Sequence, residues 1–496
     1  VSVVKRFISD TAIYGLTTIL SRMLGFIMTP FLTKKFATAV YGVFTNLYAY
    51  ASLVNAILAF GMETTYFRYL QKVEGDKQKV FDTSFFITII SSALFVLTVL
   101  TFANPIGYWL SEGENVADYA MYVKYFAVIL AADALAVVPF AKLRAEGRPI
   151  KYGLIKVGNI LIYVFFVLFF LYLLPYLVEE YPSWKALTSG WFREGWLGNV
   201  FIANLIASVV TLIMLIPQMI SFRFNVDKTL IKQMLSYTFP ILIANISFII
   251  NENLDKMMLP RLIPGERGES DLGIYGAVAK IAVFLNLFVT AFRLGAEPFF
   301  FSYSKNENAR KTYATIMEYF VIVMLLVMVG LCANIDWLKH FIPSGKGGDQ
   351  DYWSGLFIVP VLLLNYVLLG IYMNLSVWYK LSDQTRYALY ISGIGAIATI
   401  ILNFTLIPTY SYVGAALSTT ITYLLMVGLS YFWGQKNYSI PYNVKKISIY
   451  MIGAVALAFA AFHLHFWFGN LLFIAFLAIV AYLEKGVILS ILKRGK

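Results

Sequence analysis

Apolar runs of roughly twenty residues or more follow one another along the whole chain, each closed by a short polar or Gly/Pro break. Within each run the apolar residues are continuous rather than alternating. That excludes a membrane barrel, whose strands are short and alternate. In lipid every backbone N–H and C=O must be satisfied internally, so these runs are predicted to be helices. They predict about fourteen spans, near 7–33, 41–66, 82–104, 118–141, 151–175, 197–221, 234–260, 273–300, 312–334, 353–377, 385–407, 412–433, 444–463 and 466–484. The expected fold class is therefore an all-α polytopic membrane protein.

One run is interrupted. Asn251-Glu252-Asn253-Leu254-Asp255-Lys256 sits between Phe239–Ile250 and Met257–Leu259. Three ionisable groups there each cost about 2.5–3.5 kcal/mol at the bilayer centre. Either the span ends earlier and leaves them at the outer interface, or they answer to partners, water or a substrate.

The second and eighth runs resemble one another. Gly42 is followed thirteen residues later by Asn55, and Gly273 thirteen residues later by Asn286. The first run then closes on Gly61-Met62-Glu63 and the other on Gly295-Ala296-Glu297, each followed by aromatics. Leu174-Pro175 before Gly195 and Gly198 is echoed by Ile407-Pro408 before Gly414. This order predicts two six-helix halves, 1–222 and 223–436, with 437–496 as an added helix pair and tail. An even number of spans per half makes the repeats parallel, a plan used for alternating access.

Composition agrees with a membrane protein: 60% of the 496 residues are hydrophobic and 13% are charged. The net charge of +12 is distributed by side rather than by patch. Alternate connections carry the bases, as in Arg68, Lys72, Lys77 and Lys79; Lys142, Arg144, Arg148 and Lys151; and Arg223, Lys228 and Lys232. The others are poor in base, as in Ser111-Glu112-Gly113-Glu114. By the positive-inside rule both termini are expected in the cytoplasm, and the charge calls for no nucleic-acid partner. The single cysteine, Cys332, excludes an intramolecular disulfide and a cysteine-based metal site. There is no Gly-x-x-x-x-Gly-Lys-Ser/Thr loop, hence no sign of ATP drive. His463 and His465 stand two apart and point to different sides of a helix, so no metal is expected there. The connection 176–196, with Trp184, Trp191 and Trp196, suits a segment lying in the outer interface.

Besides the interrupted run, the spans hold Arg22, Glu63, Lys124, Asp133, Lys156, Lys280, Arg293 and Glu297. Mutual neutralisation in ion pairs would account for them. So would a basic cavity for a phosphate-bearing substrate, with acids carrying a proton or sodium. Arg22 lies too deep to reach water without a cavity. On this reading Arg22, Lys256, Lys280 and Arg293 are the candidates for binding a diphosphate. Asp255, Glu252, Asp133 and Glu63 are the candidates for ion coupling or gating, with Na+ or H+ as the coupled ion and no other cofactor.

Ser21-Arg22-Met23-Leu24-Gly25-Phe26 resembles the Ser-Arg-x-Leu-Gly-Phe pattern of lipid-linked-saccharide flippases. Leu402-Asn403-Phe404-Thr405-Leu406-Ile407-Pro408-Thr409-Tyr410, then Val413-Gly414-Ala415-Ala416-Leu417-Ser418-Thr419, is similar to the signature of the polysaccharide-export family. Asp255-Lys256 matches that family's acid–base pair in the seventh span, and Glu63 with Arg68 the end of its second. The chain thus resembles the polysaccharide branch of the multidrug/oligosaccharidyl-lipid/polysaccharide (MOP) exporter superfamily, the Wzx-type flippases. The resemblance implies a V-shaped, MATE-like pair of six-helix lobes around a cationic cavity. It also implies flipping of a polyprenyl-diphosphate-linked oligosaccharide to the outer leaflet of a bacterial inner membrane, for O-antigen, capsule or exopolysaccharide. Membrane lipids and the polysaccharide polymerase machinery are the expected partners. A multidrug or cation antiporter of the same superfamily and a peptidoglycan-precursor flippase are the rival transporters. A membrane glycosyltransferase would need a larger outer loop with catalytic acids.

Overall fold

The computed structural model of the chain describes residues 19, 20, 23, 26–343, 351–382 and 384–486, with the side chains of 294, 297, 298, 302 and 351 excepted. Helices run almost without interruption through them, and no strand occurs among the described residues. In chain order they are α1 (26–35), α2 (Thr38–Ala59), α3 (Met62–Lys72), α4 (Lys77–Thr101), α5 (Ala103–Ser111), α6 (Val116–Ala145), α7 (Pro149–Leu168), α8 (Leu174–Glu180), α9 (Pro182–Thr188), α10 (Gly198–Met219), α11 (Lys228–Leu262), α12 (Glu266–Tyr303), α13 (Ala309–Ala333), α14 (Ile335–Leu338), α15 (Val359–Leu375), α16 (Val377–Leu381), α17 (Arg386–Asn437), α18 (Val444–His463) and α19 (Phe466–Leu483).

Among the described residues twelve helical stretches are long and apolar enough to cross a membrane. One of them, α17, has 52 residues, or about 78 Å, against about 30 Å of hydrocarbon. It breaks at Ser411, whose φ of 51° and ψ of −133° leave the helical region three residues after Pro408. The hydroxyl of Ser411 donates to Asp271 Oδ2 at 2.5 Å and holds the break against the start of α12. The expected spans 385–407 and 412–433 are the two arms of this helix. Most of the expected first span lies outside the described residues. The second expected span is also broken: Phe60 (φ 48°) and Gly61 (φ 60°) separate α2 from α3. Gly295, its counterpart in the repeat, lies inside the unbroken α12, so the repeat is not carried through to this kink.

The chain divides into two compact units. One holds the described residues up to Phe31 together with Asn46–Ile250; the other holds Leu32–Thr45 together with Asn251 onward. In the first unit α6 is the central helix, packed by α4, α5 and α10. Its buried alanines, among them Ala127, Ala131, Ala134 and Ala141, let those neighbours approach closely. In the second unit α15 lies against α12, α13 and α17, and α13 also packs α18 and α19. The added pair α18–α19 is pinned at both ends. Asn334 Nδ2 donates to Asn470 Oδ1 at 3.1 Å, and Lys446 bonds Glu318 and, at 2.7 Å, Glu484 Oε1. Cys332 is fully buried in this packing.

Within the second unit the opening residues of the repeat meet. A Cβ on Gly42 would stand 1.8 Å from the Glu269 carbonyl oxygen, and one on Gly273 would stand 1.9 Å from that of Thr38. Thr38 and Glu269 are themselves equivalent, each four residues before its glycine. The contact is thus reciprocal, and the Thr38 and Ser270 hydroxyls bond at 2.6 Å beside it.

Candidate functional site

The second half of α11 carries the polar interruption, and helical spacing sorts it into two rows. Asn251 and Asp255 are both 3% exposed, whereas Glu252 and Lys256 are half-buried. The Asp255 carboxylate is well held. Tyr275 of α12 donates to Oδ2 at 2.6 Å, and the Lys256 ammonium lies 3.2 Å from Oδ1. That ammonium also donates to the Glu252 carbonyl at 2.7 Å and lies 5.7 Å from the Tyr275 ring centroid. One turn earlier, Asn251 Oδ1 accepts from Thr399 at 3.1 Å, and Thr399 is 3.2 Å from the Thr422 hydroxyl. Asn251 Nδ2 donates to the Ser392 carbonyl at 3.3 Å. These bonds tie α11 to both arms of α17.

Lys280 lies on α12, five residues beyond Tyr275. It is half-buried and close enough to Lys256 for the two charges to repel. Among the described residues it makes no hydrogen bond and no ion pair. An anion between Lys256 and Lys280 would relieve that repulsion, and phosphate oxygens suit two ammonium groups. Arg293, thirteen residues further along α12, lines a separate small pocket with Phe292, Phe300, Phe320, Asn374 and Lys380. Lys256 and Lys280 therefore feel each other's charge, whereas Arg293 faces the other pocket.

The remaining candidates are in the first unit. Asp133, in the middle of α6, accepts from Ser208 of α10 at 3.0 Å and interacts with the Lys156 charge. Beside it Asn204 donates to the Tyr48 hydroxyl at 2.8 Å, and Tyr48 and Tyr163 are hydrogen-bonded. This gives a second buried polar cluster. Glu63 pairs with Arg144, and with 46% and 38% of the two side chains exposed the pair contributes at most about 1 kcal/mol. Lys124 is exposed. Arg22 lies outside the described residues, as does the side chain of Glu297. The sequence singled out Asn251, Asp255 and Lys256, but not Tyr275, which bonds Asp255, nor Thr399, which bonds Asn251, nor Thr422 behind it. Hydroxyl and aromatic residues are too common in spans to signal such roles; the one hint for Tyr275 is its place in the repeat's opening Leu272-Gly273-Ile274-Tyr275.

A many-span helical protein with a duplicated plan and charges buried in its spans has the build of a secondary transporter of the MOP type. The model of the polysaccharide biosynthesis protein family matches residues 7–304, and the MatE model matches 240–405. The chain belongs to the polysaccharide biosynthesis protein family, the flippase-type transporters of that superfamily. It is 20% identical over 423 residues to Lsg locus putative protein 1 of Haemophilus influenzae, covering 84% of this chain and 96% of that one. It is 23% identical over 220 residues to the capsular polysaccharide biosynthesis protein CapF of Staphylococcus aureus, covering 43% and 53%. Among solved structures, the lipid II flippase MurJ in an inward closed conformation has the same fold, with a TM-score of 0.72, 15% identity, and 95% and 99% coverage.

Proposed function

We propose that the chain moves a polyprenyl-diphosphate-linked oligosaccharide from the cytoplasmic to the outer leaflet of a bacterial inner membrane, for assembly of a surface polysaccharide. The observation that carries this reading is the like-charge pair Lys256–Lys280, in which Lys280 has no acid among the described residues to neutralise it. A diphosphate supplies the missing negative charge, and the Tyr275–Asp255 bond keeps Asp255 engaged while Lys256 turns to the substrate. Arg22 is proposed as a further diphosphate contact and Arg293 as a contact at another depth. Substrate competing for Lys256 would loosen its bond to Asp255, which is how an ion pair becomes a gate. Coupling to Na+ or H+ is assigned to Asp133, with Ser208 and Lys156 as its neighbours, and to Glu252 and Asp255. Glu63, exposed and paired with Arg144, is proposed as a gate contact rather than an ion carrier.

The test is Lys280→Ala in cells that depend on this chain for surface polysaccharide. Loss of the polymer, with the variant present in the membrane at wild-type level and lipid-linked oligosaccharide accumulating on the cytoplasmic side, is expected. Normal polymer in the Lys280→Ala variant, and likewise in Arg22→Ala, would sink the assignment.

A further inference from the structure

Just before α10 the chain runs Arg193-Glu194-Gly195-Trp196-Leu197-Gly198-Asn199, and this turn is tightly built. Gly195 takes a φ of 70°, which favours glycine. A Cβ on Gly198 would stand 2.3 Å from the Trp196 ring, so the indole lies directly on bare backbone. Asn199 is fully buried, and its Nδ2 donates to the Arg193 carbonyl at 2.7 Å. The Arg193 side chain is fixed as well. Its guanidinium sits 3.9 Å from the centre of the Trp196 ring and donates to Asp118 Oδ1 of α6 at 2.7 Å.

The outward side of this stack is open: 54% of the Arg193 side chain and 32% of that of Asp118 are exposed. Asp118, Met121 and Tyr125 follow at helical spacing along one face of α6, with the exposed Lys124 beside them. The Tyr125 ring is half-buried, stands edge-on to Trp196 at 6.3 Å and feels the Arg193 charge. Among the described residues its hydroxyl makes no hydrogen bond, and the Lys124 ammonium makes no hydrogen bond and no ion pair.

The chemistry of the surface selects its guest. A phosphate is disfavoured, because the Asp118 carboxylate already stands against the guanidinium that the phosphate would use. A hydrocarbon chain is disfavoured too, because the outward side carries charges. Sugar hydroxyls suit it: a carboxylate and a guanidinium side by side offer an acceptor and donors to neighbouring hydroxyls, and the Tyr125 and Lys124 donors add to them. The C–H face of a pyranose ring can stack on Tyr125. Asp118 and Tyr125 are seven residues apart, about 10 Å along the helix, which leaves room for more than one sugar ring. We infer that Asp118, Lys124, Tyr125 and Arg193, with Trp196 beneath, form a binding surface for neutral sugars of the carried oligosaccharide. It lies wholly within the first unit, at the end of α6 beside the base-poor 111–115 connection, which is the outer end by the positive-inside rule. This deepens the flippase reading and rests on it for the source of the saccharide.

The experiment uses the full chain in lipid nanodiscs. Its probe is the repeat-unit oligosaccharide released by mild acid from the lipid-linked pool of the producing cells, which carries no diphosphate. Calorimetric titration is expected to show saturable binding that weakens about tenfold in Tyr125→Ala and in Asp118→Ala. Tyr125→Phe, which keeps the ring, should stay within about threefold of wild type. Melting temperatures of the variants report whether the unit is still folded, and excess pyrophosphate should not displace the sugar. No saturable binding by the wild-type chain overturns the proposal, as does equal affinity in wild type and Tyr125→Ala. Displacement by pyrophosphate overturns it as well, since the surface would then take anions. The probe lacks the group that Lys256 and Lys280 are proposed to hold. Unweakened binding in Tyr125→Ala beside lost polymer in Lys280→Ala therefore refutes this surface alone, and the converse refutes the flippase reading alone.

Discussion

Adding one methyl group at Gly42 tests the reciprocal contact directly. In Gly42→Ala the new Cβ lands 1.8 Å from the Glu269 carbonyl oxygen, a backbone atom that no rotamer change can move aside. Ordinary contact begins near 3.5 Å, so α2 and α12 must part by roughly 1.5 Å or more. Overpacking of this kind costs about 1–3 kcal/mol. If the contact is one state of a transporter that opens and closes, about 2 kcal/mol lowers the closed population some thirtyfold relative to the open one. The assay is disulfide formation between Thr38→Cys and Ser270→Cys, whose native hydroxyls are 2.6 Å apart. The yield is expected to collapse in Gly42→Ala and to hold in Gly453→Ala, where a Cβ meets nothing within 4 Å. Gly273→Ala should reproduce the effect, and the double variant should add little, since both substitutions break one contact. An undiminished yield in Gly42→Ala would refute the reasoning, because the two backbones could not then be so close in the membrane.

Two further outcomes follow from the polar contacts. Tyr275→Phe removes the 2.6 Å donor from the buried Asp255 carboxylate and should cost about 1–3 kcal/mol, seen as a lower melting temperature of the purified protein; an unchanged melt would show that Asp255 does not depend on it. At the end of α19, burial raises the Glu484 pKa, but hydrogen bonds from Lys446, Tyr450 and Tyr319 outweigh it and hold this carboxyl below the usual carboxylate range. A depressed folded-state pKa contributes stability that is fully present above the unfolded value, near pH 4.3, and is lost as pH falls through the folded one. Acidification should therefore loosen the α18–α19 pair from α13, and Glu484→Gln should abolish that part of the pH dependence in thermal melts.

Long apolar runs made the helices legible, and the pair α18–α19 lies where hydropathy puts it. Helix ends were less legible. Hydropathy starts the seventh and eighth spans at 234 and 273, whereas α11 and α12 begin at Lys228 and Glu266, because a helix continues into polar residues once it has left the lipid. Pro408 marked the break in α17, but nothing in the sequence says that Ser411 takes the positive φ. The polar run on α11 was visible because charge in an apolar span is rare. Its partners were not, because Thr399 is 148 residues away and resembles any other span threonine.

The allotment of Leu32–Thr45 to the second unit bears on how the protein is made. This stretch leaves the ribosome well before the helix it packs against, which begins only at Glu266. At about 5–20 residues per second it waits roughly ten to forty seconds for that partner. Throughout that interval Gly42 presents bare backbone to lipid and neighbouring spans, a surface on which any closely fitting helix can settle. The reciprocal contact of Gly42 with α12 is therefore one that can form only after some two hundred further residues have been made.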